Sequence, residues 1–399
     1  MRISTAHAYD TAIDSLQKRQ SDLSTAQMQL TSGKRVNVPS DDPIAAARAE
    51  RALAEIDRAD ADQRALDASQ NVMQIAESSM GDAVDLLQQA RESMVAAGNG
   101  SYTDSERQAV AKKLQEIRTQ LLSVANRADG NGGFIFGGQG SASPPFVDAP
   151  GGVQYVGQGG ETQAPLGEQM NLTVDGQSVW LKAASGNGVF VTGANSANTG
   201  SGWISAGSVA DPYSNPYLTG TSSSPYSIDF QVSAGVTTYS INGGSPQPYT
   251  DGQAITVDGM SFTIKGAPAN GDQFTINPSQ KDLSVFNALD SAIKALNTPN
   301  MNNGQITQTI NTGISNLDSL LNTVQGARSA VGETLNRMDG TANRISASKL
   351  AAQSARSNAE DLDMTSAISD FQNKQAGYDA ALKSYSIVQK MSLFQYLNS

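Results

Sequence analysis

Residues 21–54 read SDLSTAQMQLTSGKRVNVPSDDPIAAARAERALA and predict two helices on either side of a polar connector. Gly33 follows the last apolar position of the first helix, where glycine readily takes the left-handed conformation that ends a helix. Pro39 and Pro43 each disfavour helical geometry in the residue before them. The sequence therefore predicts a stiff, extended connector over residues 36–40.

The second helix has an equally clear start. Asp42 is a favourable N-cap, and Pro43 suits the first helical position because its missing N–H would be unpaired there in any case. We assign the joint between the two helices to seven residues: Gly33, Lys34, Arg35, Pro39, Asp41, Asp42 and Pro43.

The two ends of the chain carry matching patterns. Apolar residues before the connector recur at alternating steps of three and four, which is typical of a coiled-coil seam. The last helix repeats this alternation, with glutamines at some seam positions. We therefore expect the first and last helices to pair, and the remaining apolar side chains to contact other subunits. The residues assigned to this assembly interface are Tyr9, Ile13, Leu16, Leu23, Leu30, Phe371, Tyr378, Leu382, Tyr385, Leu393, Phe394, Tyr396 and Leu397.

Helical periodicity is interrupted in the middle of the chain. Glycine, serine, asparagine and proline become frequent after Asp129, and short alternating runs replace the helical pattern until about residue 280. Asp-Gly pairs inside residues 170–181 and 254–264 predict two hairpins with type I′ turns. Residues 185–225 carry no clear strand pattern and are interpreted as long polar loops.

The predicted fold is mainly α with an inserted β-rich domain. A long helical rod, whose N- and C-terminal helices pair as a coiled coil, bears a β head. The predicted division is a terminal coiled-coil domain of residues 1–40 with 355–399, a helical rod domain of residues 41–133 with 282–354, and an inserted β-rich outer domain of residues 134–281.

Composition narrows the possible functions. The 399 residues carry a net charge of -11 without a long basic run, which argues against nucleic-acid binding. There is no cysteine, and His7 is the single histidine, so we expect no catalytic residue, cofactor or metal site. No stretch approaches the roughly 18 apolar residues of a membrane span, and residues 1–20 lack the apolar core of a cleaved signal peptide.

Four motifs resemble the flagellin-like family of bacterial flagellar proteins, in particular its hook–filament junction members. They are MRIST at residues 1–5, LTSGKRVNVPSDDPIAA at 30–46, VANRADGNGGFIFGG at 124–138 and ALKSYSIVQKMSLFQYL at 381–397. The resemblance implies a non-enzymatic structural protein of the extracellular flagellum, exported by the type III apparatus without signal cleavage. It also implies contacts with copies of itself, hook-associated protein 1, flagellin and an export chaperone.

Three alternatives stay open from the sequence. A flagellin filament subunit shares the paired ends and the variable insert. A surface adhesive or carbohydrate-binding protein would use a stacking platform, with the candidates Trp180, Trp203, Tyr213 and Tyr217. An enzyme carried in the β head would use carboxylates as acids, with the candidates Asp229, Asp251, Asp258 and Asp272, although aspartates in turns are usually structural.

Overall fold

The computed structural model describes residues 2–130, 132–165, 169–171 and 173–397. Long helices occupy both ends of the chain and strands occupy the middle, which confirms the predicted mainly α fold with a β-rich insert. The helices are α1 (Arg2–Ser32), α2 (Pro43–Ala97), α3 (Asp104–Ala125), α4 (Gly176–Trp180), α5 (Pro216–Thr219), α6 (Val285–Leu296), α7 (Asn303–Glu360) and α8 (Met364–Leu397). No helix in these described ranges has an apolar stretch sufficient to cross a bilayer.

The strands lie between α3 and α6. They are β1 (Phe146–Ala149), β2 (Gly152–Tyr155), β3 (Gln163–Pro165), β4 (Gln169–Asn171), β5 (Phe190–Ala194), β6 (Trp203–Ile204), β7 (Ser208–Val209), β8 (Tyr226–Ser233), β9 (Val236–Ile241), β10 (Gln247–Pro248), β11 (Ala254–Val257), β12 (Met260–Lys265) and β13 (Gln273–Pro278). One sheet has the order β10-β9-β8-β13-β5. A second has the order β11-β12-β6, and β7 also pairs with β12.

The chain forms two compact units. The terminal unit comprises Met1–Ala65 with Thr341–Ser399, and the central unit comprises Leu66–Gly340. The division into three domains stays a prediction.

In the terminal unit, α1 packs against α8. The two helices run antiparallel, because the Leu362 N–H just before α8 donates to the carbonyl of Gly33 just after α1, at 3.0 Å. Farther along, a Cβ at Gly377 would lie 2.8 Å from Nη1 of Arg19. The predicted pairing of the first and last helices is therefore confirmed.

In the central unit, polar contacts join α2 to α7. Arg91 pairs with Asp318 at 2.6 Å, and Arg328 pairs with Glu77 at 2.7 Å. The contact positions fall along α2 as they rise along α7, so these parts of the helices are antiparallel. The fully buried apolar residues of α2 in this unit recur at steps of three and four from Met73 onward, and Leu66 lies seven positions before Met73: Leu66, Met73, Ala76, Met80, Ala83, Leu87, Ala90, Met94 and Ala97.

The β-rich core uses alternating positions of neighbouring strands. In β8, Ile228 and Phe230 are buried, and in β13, Phe274 and Ile276 are buried. Their side chains point to one face because the period of a strand is two residues. The whole core cluster is Phe190, Ile204, Ile228, Phe230, Ile255, Met260, Phe262, Ile264, Phe274 and Ile276.

The two predicted Asp-Gly hairpins have opposite outcomes. β11 and β12 form a hairpin with Val257 opposite Met260, and Asp258 and Gly259 have φ angles of 45° and 74°. These positive angles suit the predicted type I′ turn. The hairpin predicted over residues 170–181 is wrong within its described part.

The second Asp-Gly pair begins a helix instead of a turn. The Asp175 carboxylate accepts a hydrogen bond from the Gln177 N–H at 3.1 Å and caps α4. A short polar side chain before a helix start satisfies an N–H group that would otherwise be unpaired, and this capping role prevails over the turn.

The interpretation of residues 185–225 as loops is wrong at β5, β6, β7 and α5 and holds for the other residues of that range. β5 pairs with β13 over five residues, with Phe274 opposite Ala194 and Pro278 opposite Phe190. The sequence FVTGA is short and contains a glycine, so its strand propensity is weak. Pairing with β13 supplies the backbone hydrogen bonds that make it a strand.

Aromatic and charged contacts join the first part of the β-rich insert to the helices α3 and α6. The ring of Trp180 lies 5.3 Å from that of Phe136, edge to face, and 6.4 Å from that of Phe286. The guanidinium of Arg118, on α3, donates two hydrogen bonds of 2.8 Å to Asp148, and its Nε lies 2.6 Å from Asp290 on α6. These contacts join the start of the β-rich insert to both helices.

Candidate assembly site

Both predicted caps of the joint are present. Gly33 has a φ of 69°, and its N–H donates to the carbonyl of Gln29 at 2.9 Å, which ends α1. The Asp42 carboxylate accepts hydrogen bonds from the N–H groups of Ile44 and Ala45, at 3.1 and 3.0 Å. The pKa of Asp42 lies below its usual value. The hydrogen bond from the Ala45 N–H has the largest effect, and the hydrogen bond from the Arg35 guanidinium has the next largest.

The connector is not extended, contrary to the sequence prediction. The Asp41 N–H donates to the carbonyl of Val38 at 2.9 Å and closes a turn that contains Pro39. The Asp41 carboxylate also accepts from the N–H groups of Asn37 and Val38, each at 3.0 Å. Proline is well suited to the second position of such a turn because its φ is already fixed.

A second break, residues 361–363 between α7 and α8, lies beside the joint between α1 and α2. Sequence analysis missed this second break. The Arg35 N–H donates to the carbonyl of Glu360 at 2.7 Å, and its guanidinium donates to the carbonyl of Ala359 at 2.9 Å. Lys34 pairs with the Glu360 carboxylate at 3.3 Å. The two breaks in the terminal unit are therefore joined through backbone, and each restrains the other.

The second break has its own capping residue. The Asp363 carboxylate accepts from the N–H groups of Thr365 and Ser366 at the start of α8. Hydrogen bonds with Ser366, then with the N–H of Thr365, lower the pKa of Asp363. The sequence signal was present as an aspartate followed by threonine and serine in DMTS, the usual pattern of a helix start.

The structure describes part of the predicted assembly interface. Ile13 and Leu382 are exposed, at 37% and 42%. The half-buried members are Leu16, Leu23, Leu30, Phe371, Tyr378 and Tyr385. The side chains of Tyr9, Leu393, Phe394, Tyr396 and Leu397 lie outside the described residues.

Further exposed apolar side chains of the terminal unit lie outside the assembly interface assigned from the sequence. Isolated exposed apolar residues are common in folded proteins, but clusters of them usually mark surfaces that contact another molecule. The additional exposed residues are Met28, Val38, Ile44, Leu350, Met364, Ile368 and Ile387. Their signal was the number of large apolar residues in these helices, which exceeds what one narrow seam accommodates.

The candidate acids of the β-rich region have structural roles. The buried Asp272 carboxylate accepts hydrogen bonds from the N–H groups of Thr199 and Ala269, at 2.9 and 2.8 Å. Asp258 accepts from the hydroxyl of Tyr226 at 2.5 Å. The other two also accept hydrogen bonds: Asp229 from Ser227 and Gln273, and Asp251 from the N–H of Gly266.

The four candidate stacking aromatics do not form one platform. Trp180 is fully buried in the contact with Phe136 and Phe286, whereas Tyr213 is 92% exposed. Trp203 and Tyr217 are both half-buried. In the described part of the chain, no group of three or more His, Cys, Asp or Glu side chains is placed to hold a metal ion.

Comparison with known proteins assigns both helical ends to one family. Residues 3–141 match the bacterial flagellin N-terminal helical region, and residues 314–397 match the bacterial flagellin C-terminal helical region. The joint of the terminal unit lies within the first match. The second match covers α8 and most of α7.

Similarity extends beyond the ends to the entire chain. Flagellar hook-associated protein 3 of Salmonella typhimurium is 29% identical over 402 residues, which cover 99% of each chain. The crystal structure of the flagellar junction protein FlgL from Legionella pneumophila has a TM-score of 0.66 and 25% identity, covering 73% of this chain and 99% of that one. Phase 1 flagellin of Salmonella naestved is 26% identical over 187 residues, 47% of this chain and 34% of that one. With both flagellin end regions and whole-length similarity to a hook-associated protein, the chain belongs to the flagellin-like family of bacterial flagellar proteins.

Proposed function

We propose that this chain is a structural subunit of the junction between the flagellar hook and the filament. The observation that carries the proposal is the similarity to hook-associated protein 3 over 99% of both chains. The flagellin alternative has weaker support, because similarity to flagellin covers 47% of this chain.

The exposed apolar residues of the terminal unit support assembly through that unit. Burial of one large apolar side chain contributes roughly 1.5–3 kcal/mol. Two such side chains buried between subunits would strengthen association by roughly two to four powers of ten. We infer that Ile13 and Leu382, with the predicted residues at the end of α8, contact neighbouring copies.

The proposal also covers the partners of the chain, its export and the roles of its domains. Copies of the chain form a ring that contacts hook-associated protein 1 on one side and flagellin on the other, outside the cell. An export chaperone binds the C-terminal helix beforehand, and export proceeds without cleavage of a signal peptide. Residues 1–40 with 355–399 act as the coiled-coil domain that contacts other subunits, and residues 134–281 form the outer domain.

Deletion of the gene for this chain is expected to leave hooks in place without filaments and to release flagellin into the medium. The reason is that flagellin would lack the surface on which it starts to polymerise. Electron microscopy of the cells and immunoblots of the medium measure both effects. A plasmid copy of the gene serves as the control and should restore filaments. Filaments of normal length and number in the deletion strain would contradict the proposal.

A further inference from the structure

A cleft of about 760 Å³ lies in the central unit between α7 and two segments of the β-rich region. One wall comes from the α7 helix, and the other comes from the loop before β5 and from β6 with the residues after it. Its volume falls within the roughly 300–1,000 Å³ typical of small-molecule sites. The polar and aromatic side chains that matter for recognition are Asn187, Trp203, Ser205, Asn311, Ser315 and Asn322.

The α7 wall is mainly polar where the helix faces the cleft, and Ile314 is its apolar member. Asn311, Ser315 and Asn322 follow at steps of four and seven, so they lie along one face of the helix. Among the described residues, none of these three side chains has a hydrogen-bond partner, and Asn311 and Ser315 are half-buried. The adjacent face of α7 carries the buried Leu317 and Leu320. Core packing therefore does not account for the polar face.

The cleft has little net charge. Asp318 is the ionisable side chain of its lining, and the Nε of Arg91 pairs with its carboxylate at 2.6 Å. Among the described residues, no lysine or arginine lines the cleft. A charged ligand would lose hydration here without gaining a free counter-charge, so the lining favours a neutral one.

Trp203 supplies an aromatic surface beside these amides and hydroxyls. Antiparallel pairing places Trp203 opposite Lys265, and the ammonium group of Lys265 lies 5.7 Å from the centre of the indole ring. Lys265 does not line the cleft, so the cleft presents the indole and not the ammonium group. An indole with its N–H available combines apolar contact with hydrogen bonding.

We propose that this cleft binds a neutral saccharide of one or two sugar units. Amide and hydroxyl groups match the donors and acceptors of sugar hydroxyls, and the indole matches the apolar C–H face of a sugar ring. A segment of a neighbouring chain is a weaker candidate, because protein–protein interfaces are depleted in serine and alanine, which supply five of the fourteen lining residues of the cleft.

The test is saturation-transfer NMR on the full-length protein with N-acetylglucosamine and cellobiose as probes. Glucuronate and glucosamine serve as charged comparators. We expect saturable binding of a neutral probe with a dissociation constant of about 10 mM, and weaker binding of both charged sugars. Asn311→Ala should weaken that binding by about tenfold, since it removes a donor and an acceptor.

Tyr213→Ala is the matched control, because Tyr213 is exposed and does not line the cleft. Trp203→Phe provides a second cleft variant that keeps an aromatic ring and should lose part of the affinity. No saturable signal from either neutral probe up to about 100 mM, ten times the expected constant, would overturn the proposal. Equal binding of charged probes, or unchanged binding by Asn311→Ala, would also overturn it. If the free chain binds neither neutral sugar and the cleft residues become protected from solvent only after the chain has assembled, the occupant is a neighbouring subunit and the proposal is overturned.

Discussion

Gly176→Ala is expected to lower the free energy of unfolding of the central unit by about 3 kcal/mol. A Cβ at this position would lie 2.3 Å from the carbonyl oxygen of Phe136 and 2.7 Å from its Cβ. Neither atom is the end of a flexible side chain, so the backbone itself must move. That movement would disturb the packing of Trp180 against Phe136 and Phe286. Trp180 and Phe286 are both fully buried.

Chemical denaturation followed by tryptophan fluorescence measures this effect, because Trp180 lies in the affected cluster. Gly326→Ala is the matched control, since nothing lies within 4 Å of a Cβ built at that position of α7. In an exposed helix this change should raise stability by about 0.5–1 kcal/mol, because alanine loses less backbone entropy than glycine. A stability for Gly176→Ala equal to that of the unmodified chain would refute the close-packing explanation.

Arg118→Met should lower the free energy of unfolding of the same unit by about 2–3 kcal/mol. The Arg118 side chain is 7% exposed and lies between the carboxylates of Asp148 and Asp290. Removal of one partner from a fully buried ion pair costs about 3–5 kcal/mol. The expected loss is smaller here, because the side chains of Asp148 and Asp290 are 50% and 39% exposed, so water partly replaces the lost contacts.

The same contact gives an expected pH dependence. Hydrogen bonding to Arg118 holds the pKa of Asp148 below its usual value. The contribution of the Arg118–Asp148 contact to stability is therefore complete above the pKa of Asp148 in the unfolded chain, which is near 4. This contribution is lost as the pH falls through the lowered pKa of the folded chain. The stability difference between the unmodified chain and Arg118→Met should stay constant from about pH 5 to 8 and shrink below about pH 4.

Arg91→Met is the control for this second prediction. Its pair with Asp318 has side chains that are 43% and 47% exposed, and exposed pairs typically contribute less than about 1 kcal/mol. Equal losses for Arg91→Met and Arg118→Met would show that burial of the guanidinium makes no special contribution.

The long helices were predictable because their signals are local and repeated. Thr103 and Glu106, three residues apart in the sequence, form a capping box at the start of α3, with the Thr103 N–H donating to Glu106 at 2.7 Å. The Asp-Gly signal was ambiguous, because the same dipeptide makes a turn at Asp258 and a helix start at Asp175. At the helix start, Gly176 also lies in close contact with Phe136, which is 40 positions earlier in the chain. Sequence periodicity carries no information about such a contact.

At the joint, too, the sequence predicts local contacts but not contacts between residues that are far apart in the chain. Gly33 and Asp42 act through neighbours within four residues, so their capping roles followed from the sequence. The hydrogen bond from Arg35 to Ala359 spans 324 positions and depends on the pairing of α1 with α8. The extended geometry predicted for the connector was wrong because the Asp41 carboxylate stabilises a turn through two backbone N–H groups.

The most direct measurement for the proposed junction role is assembly of the purified chain on isolated hooks that carry hook-associated protein 1. The change to be tested is the double variant Ile13→Ser, Leu382→Ser. Both side chains are exposed in the single chain, so the thermal unfolding of the variant should resemble that of the unmodified protein. Val236→Ser is the matched control, because Val236 is 59% exposed on the β-rich region.

We expect the unmodified chain and Val236→Ser to bind the hook ends and support growth of added flagellin into filaments, as counted by electron microscopy. The double variant should need at least about a tenfold higher concentration to occupy half of the hook ends, since it removes apolar burial worth more than about 1.4 kcal/mol. Full hook occupancy and normal filament growth with the double variant would contradict assembly through these residues. Absence of binding by the unmodified chain would contradict the junction role itself.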